Sequence, residues 1–490
     1  MQRFRHVTAV GLLLCSVTLA AHGKTLPAVA DVAALRAELG QIRHDYDLRL
    51  AALEARLAAA GAGGTGNTLA ASSRATSGDG GQTNAFLPNP QSDTLPVPQS
   101  DTAGMATADS AAPSATAAGG NAFNPDIGLN LQGRYGAFRH VAGGRTIRGF
   151  QLGPDAGPGE QGLSLAESEL SLSANVDHRF YGFANLAFVQ DGGTSRVEVE
   201  EVYLQTTALP DGFTARAGQF FANVGYQNTR HSHAWDFVDQ PLAYEVLLGG
   251  QYLDPGVRLS WLAPTDLFIE LGAEGFRGDR FPAGGAARDG VGATNLYAKF
   301  GGDLSDSSAW QGGIAWLAAQ PRQRQYEAAD GEITEFSGDS NLLVADLVWK
   351  WAPNGNFNDR NITVQAEWLH RRERGRLDLV NGASAGSGRY DGDQDGWYVT
   401  GIVQFMPRWR AGLRYDQLDS DNAVSGLATT TILGGKGPTA RRYSAMLDFS
   451  NSEFSRLRLQ YEHDAASARA SDEIFLQYIM SLGAHGAHAF

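Results

Sequence analysis

Beyond its N-terminal region, the chain is a long series of short segments in which apolar and polar side chains alternate. The segment 440–449 shows the pattern, with Tyr443 and Leu447 alternating with Arg442 and Asp448. A β-strand turns successive side chains to opposite faces, so each segment would have one apolar face and one polar face. A closed barrel in a membrane satisfies both faces, with lipid outside and water inside. The alternation therefore predicts an all-β transmembrane barrel.

The predicted barrel spans residues 121–490, with about sixteen antiparallel strands. Short turns such as 177–179 and 451–455 alternate with longer connections rich in Gly and Asp. Outer-membrane barrels have this arrangement, with short periplasmic turns and longer outer loops. An even strand number leaves both ends of the barrel on the periplasmic side. The last residue, Phe490, is similar to the terminal signal that the bacterial barrel-assembly machinery recognises.

A soluble β-sandwich or solenoid would also show alternation. Tryptophans near the ends of predicted strands favour the membrane barrel, because aromatic girdles mark the two membrane interfaces. These residues are Trp261, Trp316, Trp349, Trp351, Trp368, Trp397 and Trp409.

The first residues, 1–23, have the features of a secretory signal peptide: Arg3 and Arg5, an apolar run, and then small residues. The chain has one cysteine, Cys15, which lies inside that run. The mature protein would therefore have neither a disulfide framework nor a thiolate metal site.

Two segments separate the signal from the barrel. Residues 31–60 carry apolar side chains three or four apart, which predicts an α-helical coiled coil about 45 Å long in the periplasm. A lone amphipathic helix is the alternative. Residues 61–120 are rich in Gly, Ala, Ser, Thr and Pro, which predicts a disordered linker.

The charge, apolar content and glycine content of the chain restrict which partners and which structural elements are expected. The formal net charge is −14, with 53 acidic residues against 39 Lys and Arg, which argues against nucleic acid as a partner. Beyond the signal, the sequence has no apolar run of about 18 residues, so no transmembrane helix is predicted. The 60 glycines suit many tight turns and closely packed strands.

The longest connection inside the barrel, 222–255, follows the fifth predicted strand and is the third outer loop. In general porins the equivalent loop folds into the lumen and narrows it. The segment 228–239 concentrates charged and imidazole side chains: Arg230, His231, His233, Asp236 and Asp239. Imidazoles and carboxylates at this spacing fit a borderline divalent ion such as zinc. The alternative is that these side chains hydrogen-bond the loop to the barrel wall.

The alternation also assigns charged side chains to the lumen, where rings of charge set the selectivity of a pore. The predicted acidic set is Glu167, Glu169, Glu201, Glu270, Glu274, Glu367 and Asp448. The predicted basic set is Arg216, Arg258, Lys299, Lys350, Arg410, Arg414, Arg442 and Arg458. The alternative is that these charges pair across strands and stiffen the wall.

No motif singles out a catalytic nucleophile with a partner base, so the sequence is not expected to be that of an enzyme. No Gly-rich phosphate cradle follows a strand and opens a helix.

The barrel resembles the phosphate-selective porin superfamily, which are sixteen-stranded trimeric channels of the outer membrane. Four stretches carry the resemblance: 121–131, 165–177, 217–221 and 477–490. The chain is most similar to a porin-like outer-membrane group with an N-terminal coiled coil. The resemblance implies a homotrimer that conducts small solutes.

These observations predict an outer-membrane porin giving passive passage to small solutes, selected by charge and by a loop that constricts the barrel. Outer-membrane lipids, the assembly machinery and two further copies of the chain are its expected partners. No cofactor is expected, and zinc is left open as an alternative. One alternative is an envelope tether, in which the barrel anchors the stalk at 31–60. The other is a zinc-handling channel that uses His231 and His233.

Overall fold

The computed structural model describes residues 125–140, 145–154, 156–191, 193–285, 289–381, 385–427 and 432–483. The predicted signal peptide (1–23), coiled coil (31–60) and linker (61–120), and the terminal Phe490, lie outside these residues. Those assignments stay predictions, as does the tether hypothesis that depends on them.

The strands form one antiparallel sheet that closes on itself, because the first strand pairs with the last from Gly128 with Gly483 to Phe138 with Glu473. The segments are β1 (Asp126–Phe138), β2 (Gly162–Leu165), β3 (Ser168–Asn175), β4 (Phe180–Asp191), β5 (Thr194–Thr206), β6 (Phe213–Phe221), β7 (Leu253–Leu262), β8 (Phe268–Phe276), β9 (Ala293–Ser305), β10 (Ser308–Ala319), β11 (Arg324–Glu327), β12 (Ile333–Trp351), β13 (Asn361–Leu379), β14 (Gly386–Met406), β15 (Trp409–Ser425), β16 (Gly435–Lys436), β17 (Ala440–Ser452), β18 (Ser455–Asp464) and β19 (Ser471–Gly483).

The barrel has sixteen strands across the described residues. Here β2 and β3 count as one interrupted strand, since both pair with β1. The short β11 and β16 add to the edges of β12 and β15. The predicted strand number is confirmed.

The two faces of the barrel have opposite chemistry. On β18, the outward side chains Leu457 and Leu459 are 42% and 50% exposed, whereas Arg458 between them is 0% exposed and faces inward. A soluble protein would bury the leucines and expose the arginine. The inverted pattern is that of a barrel with lipid against its outer wall.

The five longest connections lie at one end of the barrel, at 139–161, 222–252, 277–292, 320–332 and 426–439. Near the same end, β12, β13 and β14 run to 19, 19 and 21 residues. A tilted strand needs only about 9–11 residues to cross the hydrocarbon layer. These strands therefore extend the wall beyond the bilayer on the side of the long loops.

An apolar core lies inside the barrel rather than between layers. It is built around α1 (Leu242–Leu247), whose Leu242, Val246 and Leu247 are 0% exposed. Three-residue 3-10 turns occur at Pro210–Gly212, Gln227–Thr229, Ser232–Ala234 and Pro353–Gly355. None of the helices in the described part of the chain is long and apolar enough to cross a bilayer.

Candidate functional site

The connection between β6 and β7, residues 222–252, lies inside the barrel and is called the lumen loop below. Its α1 begins after Pro241, whose φ of −54° suits the start of a helix. The helix ends at Leu247, and Gly249 and Gly250 follow at positive φ, where the Gly250 N–H donates to Tyr244 O at 3.1 Å. This is a glycine-dependent C-terminal cap, so Pro and Gly set the limits of the helix.

The two ends of the lumen loop are held together by one asparagine. Asn228 Nδ2 donates to Ala222 O and Tyr252 O, and its Oδ1 accepts from Tyr252 N at 2.7 Å. Asn228 is 0% exposed. Buried hydrogen bonds therefore close the neck of the loop.

Near its start, the loop contacts the wall at β8 and β9. Asn223 N donates to both oxygens of Glu274, and Asn223 Oδ1 accepts from Lys299 Nζ at 3.2 Å. Asn295 Nδ2 donates to Asn223 O at 3.0 Å. These contacts place Glu274 and Lys299 on the inner wall.

The loop then crosses to β13. There Glu367 accepts from Tyr226 N and Gln227 N, both at 3.0 Å, and from Tyr244 Oη at 2.6 Å. Gly225 reaches this point with φ of +83°, and a Cβ at this position would overlap Tyr244 Oη and Glu367 Oε2. One inward carboxylate therefore fastens two parts of the loop to the wall.

The two histidines face a different sector of the wall. His231 Nδ1 lies 3.1 Å from Glu200 Oε2 and 3.3 Å from Glu169 Oε2, and its Nε2 lies 3.3 Å from Glu201 Oε2. His233 Nδ1 lies 2.9 Å from Glu169 Oε1. The two imidazole rings stack with centroids 5.8 Å apart.

The two loop aspartates face arginines of β15, β17 and β18. Arg410 Nη1 donates to Asp236 Oδ1 at 3.0 Å, and Asp239 Oδ2 accepts from Arg414 Nη2 and from Arg442 Nη1 at 2.5 and 2.9 Å. These contacts lie on different strands from the histidine contacts. The lumen loop therefore touches wall sectors that are well separated around the barrel.

Electrostatics in the loop follow from these contacts. Burial alone would lower the pKa of His231, but the carboxylates of Glu200 and Glu169 raise it well above its ordinary value of 6.5. Burial alone would raise the pKa of Asp236 and of Asp239. Arg410 holds the pKa of Asp236 below its usual value of 3.8, and Arg414 with Arg442 does the same for Asp239. The contacts between the loop and the wall thus favour the ionised forms of His231, Asp236 and Asp239.

A second segment, residues 145–153 of the connection between β1 and β2, also enters the lumen and is called the mouth segment below. Its Ile147, Phe150 and Leu152 are 1%, 1% and 5% exposed and belong to the same apolar core as α1. Arg145 forms ion pairs with Glu245 of α1 and with Asp464 of β18. The mouth segment therefore packs onto the lumen loop and ties it to the wall.

Most of the predicted lumen charges contact the lumen loop or one another. Glu169, Glu201, Glu274, Lys299, Glu367, Arg410, Arg414, Arg442 and Arg458 have a polar contact to the loop. Arg216 bonds to Gln205, Arg258 to Glu274, and Glu270 accepts from Tyr297. Glu167 is half-buried between β2 and β3, and its main-chain oxygen accepts from Gln132. Lys350 is half-buried near the end of β12, and Asp448 is 0% exposed beside Arg458.

The five loop residues singled out by sequence do not form one cluster. Asp236 and Asp239 contact arginines, whereas His231 and His233 contact glutamates. Arg230 bonds within the loop, to Tyr226 Oη and Ala234 O. The donors that come together are His231, Glu169 and Glu200, whose ligand atoms lie within 4.8 Å of one another. The predicted donor set is corrected accordingly.

Several residues of the site carry no signal that sequence reasoning used. Glu200 and Asn185 join the histidine contacts, while Glu245, Asp416, Glu462 and Asp464 join the arginine contacts. Strand alternation could have found Asn185, Asp416, Glu462 and Asp464, because each lies two positions from another inward residue. It could not have found Glu200, which is adjacent to the inward Glu201: both face inward because the pairing of β4 with β5 shifts register between Asn185 and Leu186. Arg145 and Glu245 lie in connections, where no periodicity applies.

No protein-family model matches the chain. An uncharacterised protein of Aquifex aeolicus (strain VF5) is 31% identical over 350 residues, which cover 68% of this chain and 71% of that protein. The chain belongs to the same family as this Aquifex protein.

Solved structures similar to the barrel include outer-membrane channels. The channel DcaP of Acinetobacter baumannii is 12% identical, with 73% of this chain and 97% of that chain covered and a TM-score of 0.45. OprB of Pseudomonas putida is 11% identical, with 73% of this chain and 94% of that chain covered and a TM-score of 0.46. An anion-selective porin from Comamonas acidovorans is 9% identical, with 73% of this chain and 99% of that chain covered and a TM-score of 0.44. At these identities the similarity concerns the barrel fold.

Proposed function

We propose that the protein is an outer-membrane channel of the porin type, which gives small charged solutes passive passage through a lumen narrowed by its own loop. The observation that carries the proposal is the placement of residues 222–252 inside a closed barrel, fastened to β13, to β3 and β5, and to β15, β17 and β18. A loop with that path sets the free cross-section of the lumen.

Burial along the inner wall supports a narrow channel. Inward side chains on opposite parts of the barrel, such as Glu169, Glu274, Asp416 and Arg458, are each 7% exposed or less. The lumen loop and the mouth segment cover them. A wide aqueous pore would leave such side chains in water, so we expect low conductance and exclusion of bulky solutes.

The charged side chains around the lumen loop support a channel that selects solutes by the sign of their charge. Arginines of β15, β17 and β18 lie on one side of the loop, and the glutamates of β3 and β5 lie on another. Rings and rows of such charges determine which ions enter a pore. The phosphate-selective porin superfamily and a homotrimeric assembly stay predictions within this proposal.

Planar-bilayer recording of the purified full-length protein tests the proposal. We expect small conductance steps that close in units of three, and a reversal potential in a salt gradient that gives the preferred sign of charge. Complete absence of conductance, with the barrel shown to be folded by its heat-dependent mobility on gels, would overturn the proposal.

A loop-replacement variant is the matched comparison. Ala222 N donates to Tyr252 O at 3.0 Å, so the neck is close enough for a four-residue Gly/Ser turn to replace residues 224–250. We expect its conductance to rise severalfold, because the segment that crosses the lumen is gone. An unchanged conductance would mean that the lumen loop does not limit passage.

A further inference from the structure

The histidine contacts of the lumen loop include a compact set of donor atoms. His231 Nδ1 lies 3.1 Å from Glu200 Oε2 and 3.3 Å from Glu169 Oε2. Around a four-coordinate metal with bonds of about 2.1 Å, neighbouring ligand atoms stand about 3.4 Å apart. The two distances from His231 Nδ1 are therefore already close to those around a tetrahedral ion, and all three donor atoms lie within 4.8 Å of one another.

The other nitrogen of His231 is occupied by a carboxylate. Its Nε2 lies 3.3 Å from Glu201 Oε2, on the side of the ring away from the three-donor set. Metal-ligating histidines usually donate their second ring N–H to a carboxylate, which fixes the tautomer and the orientation of the ring. Glu201 thus leaves Nδ1 as the nitrogen that faces Glu169 and Glu200.

Carboxylates surround the imidazole of His231. Glu169, Glu200 and Glu201 each place an oxygen within 3.3 Å of one of its ring nitrogens. His233 lies beside it, with its Nδ1 2.9 Å from Glu169 Oε1. Buried carboxylates are paired or coordinate metals, so this dense group of them around one imidazole is suited to a cation.

Asn185 provides an independent indication. Its side-chain nitrogen lies beside all three donor atoms, 2.6 Å from Glu200 Oε2, 3.0 Å from Glu169 Oε2 and 3.1 Å from His231 Nδ1. Asn185 is 1% exposed, and among the described residues its Oδ1 has no hydrogen-bond donor. A half-turn of the amide would bring that oxygen to face the same point as a fourth ligand.

The geometry points to a divalent first-row metal ion, of which zinc is the best match, bound by His231, Glu169, Glu200 and the side-chain oxygen of Asn185. One imidazole nitrogen with oxygen ligands is a donor set that zinc accepts in four-coordinate sites. Glu201 is a positioning residue that orients the imidazole. This set differs from the one expected from sequence, because Asp236 and Asp239 are absent from it.

The ion would join the lumen loop to the wall. His231 belongs to the loop, whereas Glu169, Asn185 and Glu200 belong to β3, β4 and β5. Binding requires the neutral imidazole, so the metal displaces a proton from Nδ1. The proposed site attaches the lumen loop to the wall. The proposal therefore does not depend on whether the barrel conducts solutes.

Calorimetric titration of the purified full-length barrel, prepared without a polyhistidine tag, tests the proposal. A second group, His370 with Asp393 and Asp395, lies on β13 and β14, so all proteins would carry His370→Gln. In that background we expect one Zn²⁺ per chain, and no binding of Mg²⁺ at the same concentration. Zn²⁺ bound in other ratios, or not at all, would overturn the proposal.

Variants then assign the ligands. We expect His231→Gln and Glu200→Gln each to weaken Zn²⁺ binding more than 100-fold, and Glu201→Gln to weaken it about 10- to 100-fold, as loss of an outer-shell partner does. His463→Gln is the matched control, since this histidine contacts a single carboxylate, Asp472. Heat-dependent gel mobility checks that each barrel is folded. Unchanged affinity in the Glu200 variant would contradict the site even if the His231 variant failed to fold.

Discussion

At the residue scale, Arg442 joins the lumen loop to the barrel wall through four ion pairs. It is 2% exposed and forms ion pairs with Asp239 and Glu245 of the lumen loop and with Glu462 and Asp464 of β18. A single guanidinium thus compensates carboxylates from two elements. Buried charges of this kind stabilise only as a set, because each carboxylate is costly without its partner.

Arg442→Met is therefore predicted to destabilise the protein by about 3–5 kcal/mol, since it leaves buried carboxylates without their guanidinium. Urea unfolding in detergent micelles, followed by tryptophan fluorescence, measures the loss. Arg441→Met is the matched control, because the neighbouring side chain lies on the exposed face of the same strand. Equal losses in the two variants would contradict the prediction.

Gly225 is the second residue-scale test. Gly225→Ala is predicted to cost about 1–3 kcal/mol for its positive φ, with a further loss because the Cβ overlaps Tyr244 and Glu367. Gly250→Ala is the control: it has φ of +99° in the same loop, but a Cβ there meets nothing within 4 Å. The difference between the losses of unfolding free energy in the two variants measures the cost of the overlap with Tyr244 and Glu367 alone. Identical values would show that loop packing at Gly225 is unimportant.

At the element scale, the lumen loop is held by groups whose ionisation depends on pH. The pKa of Asp239 is lowered from its usual 3.8 by Arg414 and Arg442, despite burial that alone would raise it. A carboxyl with a lowered folded-state pKa stabilises the protein above its unfolded pKa and loses that stabilisation as pH falls through the folded value. The attachment should therefore be constant at neutral pH and fail only in strong acid.

The Asp239→Asn variant tests this dependence. We expect its melting temperature in detergent to lie below that of the unmodified protein by a constant amount from neutral pH down to about pH 5. Below 3.8 the two melting temperatures should begin to converge, and they should meet only below the lowered folded-state pKa, where Asp239 is uncharged in the folded protein as well. A gap that widened as pH fell would contradict the assigned direction of the pKa shift.

Sequence patterns predicted the long strands but not the short helix α1. Strands such as β17 and β18 were predictable, because each alternates over ten residues or more. The helix α1 was not, since six residues with Leu242, Val246 and Leu247 are too few to separate helix from loop by period. The helix forms here because the barrel interior buries it, and Gly396 lets Ala243 approach the wall, where a Cβ would come within 2.9 Å.

At the scale of the whole molecule, the even strand number places both ends of the barrel on one side and all five longest connections on the other. An epitope inserted after Gly331, where a Cβ meets nothing within 4 Å, should be detected by antibody on intact cells. The same epitope inserted after Thr265, in the turn between β7 and β8, should be detected only after the outer membrane is opened. The reverse result would contradict the orientation, and detection of both on intact cells would indicate damaged membranes.

The chain's alternation was enough to predict a membrane barrel, its strand number and the inward face of each strand, because these depend on side-chain period and local turns. It also assigned to the lumen some of the charged side chains that contact the loop, such as Glu169 and Arg442. It did not reveal which charges meet. His231 and Glu169 are far apart in sequence, and they come together only when the sheet closes and the loop folds into it. Contacts of that kind depend on three-dimensional closure, and no local pattern encodes them.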